Sequence, residues 1–474
     1  MKTLRWIAPV TVLLGLATGA HAQDNGVVAT FVGTPEDVFY DATATSDGGV
    51  VAVGYTTRVG AGGRDILLVK ADPCGDLLWR KTLGGSADEE GRSVIELPGG
   101  DLAITGHTSS VGGPGDHLLI SRLDASGHEI WTRVLTDPDG NPPLRGYDLV
   151  QDSNGDLIVT GTIWDSVLSI YSMLLAKFGS NGTFVAAAAY REYLLVNWDL
   201  WGESTIVDLD DNYIVVGGAL HPRNGRWVLM ARIRPNLLTV DWSRFLQEAS
   251  GTDAVGHGAA ATSDGKFILT GQSSGSLFIS KREHTDPPVA NWQKKISAGS
   301  AGHNIIQTST SGFVVAGELG TRVLVGSWNA DGSAQWIRGW GQGIGYGAAE
   351  DIENRLWVAG ANGADALLAK LDPNGFSCYD MHTYTFDPVD WNPTEDVRDL
   401  GLHALLSLEV WPWTVDTANV SLQPNYDCDD ECTEACWESD FEAKPMGERV
   451  AAFLNTAFHF FGKTRWNRVL RLVP

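Results

Sequence analysis

Residues 99–131 read GGDLAITGHTSSVGGPGDHLLISRLDASGHEIW, and residues 47–79 read DGGVVAVGYTTRVGAGGRDILLVKADPCGDLLW. Each stretch holds a Gly-rich turn, an apolar run closed by Gly, a second apolar run, and then D-x-x-G-x-x-x-W. The pattern recurs seven times between Asp41 and Tyr379. Its closing Gly falls at Gly54, Gly106, Gly161, Gly217, Gly271, Gly317 and Gly360, at intervals of 52, 55, 56, 54, 46 and 43 residues. A period of that length, filled by four short strands, is the signature of propeller blades rather than of one sandwich. Seven copies predict an all-β, seven-bladed β-propeller with a short C-terminal extension.

Aligned on the closing Gly, each copy resolves into four strands. The first is a small-residue stretch such as residues 42–45 or 259–262, followed by a turn such as Asp47-Gly48-Gly49 or Asn154-Gly155, where tight hairpins need positive φ. The second and third strands are the two apolar runs, whose unbroken apolar character fits a strand sandwiched between other blades. The fourth opens with an aromatic at Trp79, Trp131, Trp242, Trp292, Trp336 and Tyr379; the third copy has Ala186 in this slot, near Phe184. Such rings are expected to cover the seam between blades. Residues 27–33 (VVATFVG) match the fourth-strand pattern and are expected to close the last blade, in competition with residues 379–386.

The first 22 residues look like a cleaved export signal: Lys2 and Arg5, an apolar stretch from Ile7 to Leu16, and Ala20-His21-Ala22 before Gln23. Expected domains are the signal at 1–22, the propeller at 23–386, an acidic Cys-containing extension at 387–444 and a basic amphipathic helical tail at 445–474. The mature chain is therefore expected outside the cytoplasm, secreted, periplasmic or on the cell surface. A net charge of −24 leaves no basic surface for nucleic acid. Of five cysteines, Cys378, Cys428, Cys432 and Cys436 are the disulfide candidates, able to tie down the tail; Cys74 is left over.

The cadence resembles that of secreted bacterial proteins with SBBP-type or related β-propeller repeats, which share DGG-x-x-V-x-G-x-T…D-x-x-L-x-K-x-D-x-x-G-x-x-x-W. The resemblance covers roughly residues 27–386 and implies a surface or secreted binding module. A second resemblance is to quinoprotein-like propellers, whose repeats also end in D-x-x-(T)G-x-x-x-W. Here the Thr before Gly is absent, seven copies stand where those proteins usually have eight, and the vicinal Cys pair of some quinoproteins is missing.

A ligand is expected where the innermost strands converge on the axis. One alignment column there reads Tyr40, Gly91, Tyr147, Glu203, His257, His303 and Tyr346; the next reads Asp41, Arg92, Asp148, Ser204, Gly258, Asn304 and Gly347. The polar and aromatic members of this ring (Tyr40, Asp41, Arg92, Tyr147, Asp148, Glu203, His257, His303, Asn304 and Tyr346) suit a polar ligand such as a sugar or peptide. The competing reading makes them a plug that satisfies the inner strand ends. His257 and His303 occupy equivalent slots in adjacent blades but lack the fixed carboxylate partner that a metal site wants. The remaining histidines, among them His107 and His117, are read as loop or edge residues.

The chain has no G-x-S-x-G, H-E-x-x-H, Walker or Rossmann motif. Residues 152–156 (DSNGD) resemble half a calcium loop but coincide with a hairpin turn and lack the twelfth-position Glu. After Phe386 the cadence stops, and residues 387–426 are expected to add an edge hairpin or wrap the ring. The tail from 445 recurs in apolar residues at three- and four-residue spacing, with five Lys and Arg against Glu448. It could dock on the acidic body, touch an anionic membrane peripherally, or serve as a sorting tail. The expected function is non-enzymatic binding of a protein or glycan partner at the axial face, with no cofactor. The alternatives are a hydrolase or lyase acting on polysaccharide or peptide at the same channel, and a quinone-dependent dehydrogenase.

Overall fold

The computed structural model describes residues 36–137, 143–192, 198–248, 253–296 and 299–377, with the backbone of strand Val28–Phe31 and of short strands between His382 and Tyr426. Among the described residues every regular element is a strand, and the strands form seven antiparallel sheets. This is the expected seven-bladed β-propeller. Blade 1 runs outward from the axis as Asp37–Ala44, Val50–Thr56, Asp65–Ala71 and Leu77–Leu83. Its two middle strands are buried along their whole length, and its fourth is partly exposed over its first half.

The apolar cores lie between blades. Val53, Ile66 and Leu68 of blade 1 meet Val94, Ile104 and Leu119 of blade 2. The same arrangement repeats at every seam until Phe39, Ala52 and Leu67 of blade 1 meet Trp357, Ala359 and Leu368 of blade 7 and close the ring. Burying each such Val, Leu or Ile is worth about 1.5–3 kcal/mol. A single blade gains this only when both neighbours are in place.

The D-x-x-G-x-x-x-W cadence is seam chemistry. The turn Asp returns its carboxylate to nearby amides, as Asp124 does to those of Ser126 and His128, and the Gly takes positive φ (72° at Gly127). The Trp of one blade lies over the Gly turn of the next: Trp79 Nε1 donates to Ala125 O at 3.3 Å and Trp292 Nε1 to Ala330 O at 3.0 Å. A Cβ on Gly127 would stand 3.0 Å from the Trp79 ring. Blade 3, with Ala186 in the slot, joins blade 4 through Tyr190, whose hydroxyl donates to Leu237 O at 2.8 Å.

Closure uses both ends of the chain. Strand Val28–Phe31 pairs with Asp365–Leu371, as its pattern predicts, and forms the fourth strand of blade 7. Of the competing stretch 379–386, strand His382–Tyr384 pairs instead with Ala334–Trp340 of blade 6, the blade 7 slot being taken by Val28–Phe31. Tyr379 itself lies outside the described residues.

From His382 the chain circles the ring backwards. Val389–Asp390 adds a fifth strand to blade 5, Thr394–Asp396 to blade 4, Leu400–Leu405 to blade 3 and Glu409–Trp413 to blade 2. Ala418–Asn419 then joins blade 1 and Asn425–Tyr426 joins blade 7, against Val28–Phe31. The wrap foreseen for 387–426 thus supplies six outer strands, which with His382–Tyr384 make a belt of seven. Pro412 sits on the outermost edge of its sheet, where a missing N–H breaks no inner ladder.

Cys74, left over in the sequence reading, is disulfide-bonded. The four candidates Cys378, Cys428, Cys432 and Cys436 all lie outside the described residues. Reading Cys74 as spare counted only bridges within the tail. The signal segment and the basic tail also lie outside the described residues.

Candidate ligand site on the propeller axis

Every inner strand carries one extra residue. Its ladder to the second strand skips a position at Tyr40, Arg92, Tyr147 and Glu203 in blades 1 to 4. The same skip falls at His257, His303 and Tyr346 in blades 5 to 7. A β-bulge re-aims the side chain of its extra residue, and here it does so seven times toward one axis. The closing Gly of each repeat makes room for the bulge. A Cβ on Gly54 would land on the carbonyl oxygen of Val38, one on Gly106 on that of Glu90, and one on Gly161 on that of Arg145.

The re-aimed side chains form a closed circuit. The Tyr40 ring centre lies 5.3 Å from Tyr346, Tyr346 lies 5.2 Å from His303, and His303 lies 5.2 Å from His257. The Arg92 guanidinium is 3.9 Å from the Tyr40 ring centre and 5.4 Å from that of Tyr147. Glu203 acts electrostatically on both Tyr147 and His257 and so fills the gap between them. Together they line a cavity of about 260 Å³.

In blades 1 to 4 and 6 the residue after the bulge also lines the cavity, and in blades 1 to 4 it bonds to a neighbouring blade. Asp41 accepts from the backbone of Val94 in blade 2 at 3.0 Å and from Ala42 at 2.8 Å. Asp148 accepts from Thr205 N of blade 4 at 2.6 Å, from Leu149 N at 2.8 Å and from Ser93 Oγ at 3.1 Å. Ser204 Oγ accepts from Ala259 N of blade 5 at 3.2 Å. In blade 7 the position is Gly347, where a Cβ would come within 2.7 Å of the Asp41 Cα.

Burial sets the protonation of the site. It pushes the Asp41 carboxyl up to about 7, with the nearby Asp148 charge adding to the rise, and it raises Asp148 as well. It drives His303 down to about 3 and lowers His257, so both imidazoles are neutral at neutral pH. The Tyr40 phenol is pushed up to about 12 by the same cause. His303 Nε2 and Asn304 Oδ1 are buried without a hydrogen-bond partner among the described residues.

All ten ring residues expected from sequence line this cavity, and Ser93 and Ser204 join them. The alignment erred in blade 2: Arg92, not Gly91, is the counterpart of Tyr40, and Ser93 that of Asp41. The signal was present, since the bulge residue stands fourteen positions before the closing Gly (Tyr40 to Gly54, Arg92 to Gly106). The ring also lies partway down the inner strands rather than at their starts, because the bulge, not the loop, aims it.

His107 and His117 are not loop residues; both lie in strands and are buried. Burial lowers His107 to about 4, and its Nε2 is 4.0 Å from Glu90. Asp152 serves its hairpin, accepting from Asn154 N at 3.0 Å and Asp156 N at 2.9 Å, and it pairs with Lys177 at 2.9 Å. Among the described residues no three His, Cys, Asp or Glu side chains are grouped to hold a metal ion.

The chain matches no protein-family model and no curated protein sequence. The resemblance to SBBP-type repeats therefore rests on the cadence alone. In structure the chain is similar to virginiamycin B lyase from Staphylococcus aureus, at 13% identity and a TM-score of 0.44, over 74% of this chain and 96% of that one. It is similar to the polysaccharide lyase Uly1 at 9% identity and a TM-score of 0.42, over 73% and 99%. An α-L-arabinofuranosidase from Fusarium graminearum gives 10% identity and a TM-score of 0.43, over 73% and 97%. At these values the likeness is one of architecture.

Proposed function

We propose that the protein is an exported binding module that takes a small polar ligand of saccharide character into its axial ring. One observation carries the reading. Seven bulges aim seven side chains at one cavity, while in blades 1 to 4 the residues beside them bond to neighbouring blades. The ring side chains are thereby spared from the framework. A cavity of about 260 Å³ with tyrosine faces, neutral imidazoles and hydroxyls suits a sugar-sized molecule recognised by stacking and hydrogen bonds. The signal-like pattern of residues 1–22 and the Cys74 disulfide both support an oxidising compartment.

The test is a glycan and peptide array probed with the full chain, followed by calorimetry on the best ligand. A saccharide class should bind, and the ring variants should lose it. Binding to peptides alone, or to nothing, would contradict the proposal.

An enzyme at the same cavity is the second reading. The observation favouring it is the pairing of His303 with Tyr346, ring centres 5.2 Å apart in the cavity, where His303 Nε2 is buried without a hydrogen-bond partner among the described residues and is open to a hydrogen bond with a substrate hydroxyl. A polysaccharide bound at the ring would then be cleaved, and mass spectrometry of the bound glycan would show new ends. Ring variants of an enzyme would lose kcat before affinity.

A further inference from the structure

Resting on the reading of the ring as a saccharide site, we propose that its ligand is a sugar acid whose carboxylate is held by Arg92. The ring is not evenly polar. On blades 1 to 3 arginine and tyrosine form a continuous ladder. Arg64 lies 4.8 Å from the Tyr55 ring centre, Tyr55 lies 5.9 Å from Tyr40, and Arg92 stands between Tyr40 and Tyr147.

The guanidiniums of this flank differ in what they hold. Arg64 closes tightly on Glu90, and Arg145 closes tightly on Asp116. Arg92 reaches Glu90 only at 3.6 Å, beyond hydrogen-bond distance, and its other contacts are aromatic faces. It lines the cavity ion-paired to Glu90 but without a hydrogen bond among the described residues. A planar guanidinium fixed by stacking matches a carboxylate in bidentate fashion, which a lysine would not.

Across the ring from blade 2 stand blades 5 and 6. There His303 Nε2 and Asn304 Oδ1 are buried and without partners, and His257 is beside them. A wall of unpartnered hydrogen-bonding atoms facing a guanidinium that makes no hydrogen bond among the described residues asks for hydroxyls at one end of the ligand and an acid at the other. A sugar acid carries both. The cavity carboxylates of Asp41 and Asp148 do not compete for Arg92, because each already accepts backbone amides of neighbouring blades. Those same bonds use up the inner-strand N–H groups of Val94, Thr205 and Ala259. A peptide would find those donors already taken for pairing by strand addition, which favours the saccharide over an acidic peptide.

The experiment titrates the full chain with D-galacturonate and D-glucuronate, and with D-galactose and D-glucose as matched neutral sugars. Acetate and inorganic sulfate serve as plain anions. The acids should bind at least roughly tenfold tighter than their neutral partners, and that gap should narrow as salt is raised. Arg92→Gln should erase the gap. Arg92→Lys, which keeps the charge and loses the fork, should narrow it even if Arg92→Gln melts low. Equal binding of acid and neutral sugars overturns the inference while leaving the saccharide reading intact. Sulfate or acetate binding as tightly as the uronates overturns it in favour of a general anion site. No sugar of either kind binding, or an acidic peptide binding instead, overturns both.

Discussion

Arg92 and Ser93 are neighbours in sequence with opposite duties: one faces the axis, the other donates to Asp148 in the next blade. The same division holds through blades 1 to 4, and at Asp41 it has a consequence for pH. Burial raises that carboxyl from its ordinary 3.8 to about 7, so across this window the folded chain keeps a proton that the unfolded chain has released. Stability attributable to Asp41 therefore falls as pH rises from about 4 to about 7, and the loss is complete above it. Asp41→Asn removes the titration and leaves an oxygen for the Val94 amide. Melts of both proteins over that range should show the wild type losing ground to the variant as pH rises, whereas parallel profiles would contradict the burial of Asp41.

The ring residues were legible because the closing Gly repeats and fixes a column fourteen positions upstream. The role of the next column was not, because its bonds run to blades more than fifty residues away, such as Asp41 to Val94. Nor could local pattern reveal that His107 is a buried strand residue, since the Glu90 carboxylate beside it lies on the paired inner strand.

At the scale of elements, the closing Gly explains why the repeat has a fixed ending. In all seven blades it faces the residue that precedes the bulge, as Gly161 faces Gly146. Gly161→Ala would drive a methyl into the Arg145 carbonyl and should cost about 1–3 kcal/mol by overpacking, or more because the obstacle is backbone. Urea unfolding measures this directly, and a change within a few tenths of a kcal/mol would contradict the account of the bulge.

Strand Val28–Phe31 bears on two partners at once, Asp365–Leu371 and Asn425–Tyr426. Deleting residues 23–33 should lower the melting temperature sharply and promote association, since it opens a sheet edge inside blade 7. An unchanged melt would mean that the belt closes the ring unaided. The sequence foretold this N-terminal strand from its pattern. It did not foretell how the belt distributes its strands, because segments as short as Val389–Asp390 carry no periodicity to read.

At the scale of the molecule, seven seams and one circling segment hold a ring whose blades have no separate cores. Cys74, in the turn between the third and fourth strands of blade 1, is disulfide-bonded. A disulfide typically stabilises by about 2–4 kcal/mol, so Cys74→Ser should melt lower than the oxidised wild type and match the reduced one. Coincident oxidised and reduced melts would contradict a stabilising bridge.

The central claim is that the inward-facing ring binds a ligand while the residues beside it hold the blades. The His257→Ala/His303→Ala double variant tests it, with saccharide affinity and melting temperature measured on the same sample. Both imidazoles are neutral, and His303 Nε2 has no partner to strand. The account predicts lost binding at a stability cost below about 2 kcal/mol. Asp148→Ala, which orphans the Thr205 and Leu149 amides, should show the converse, at about 1–3 kcal/mol for each stranded group. A double variant that melts far below the wild type while its saccharide affinity is unchanged would make the ring a plug and contradict the account.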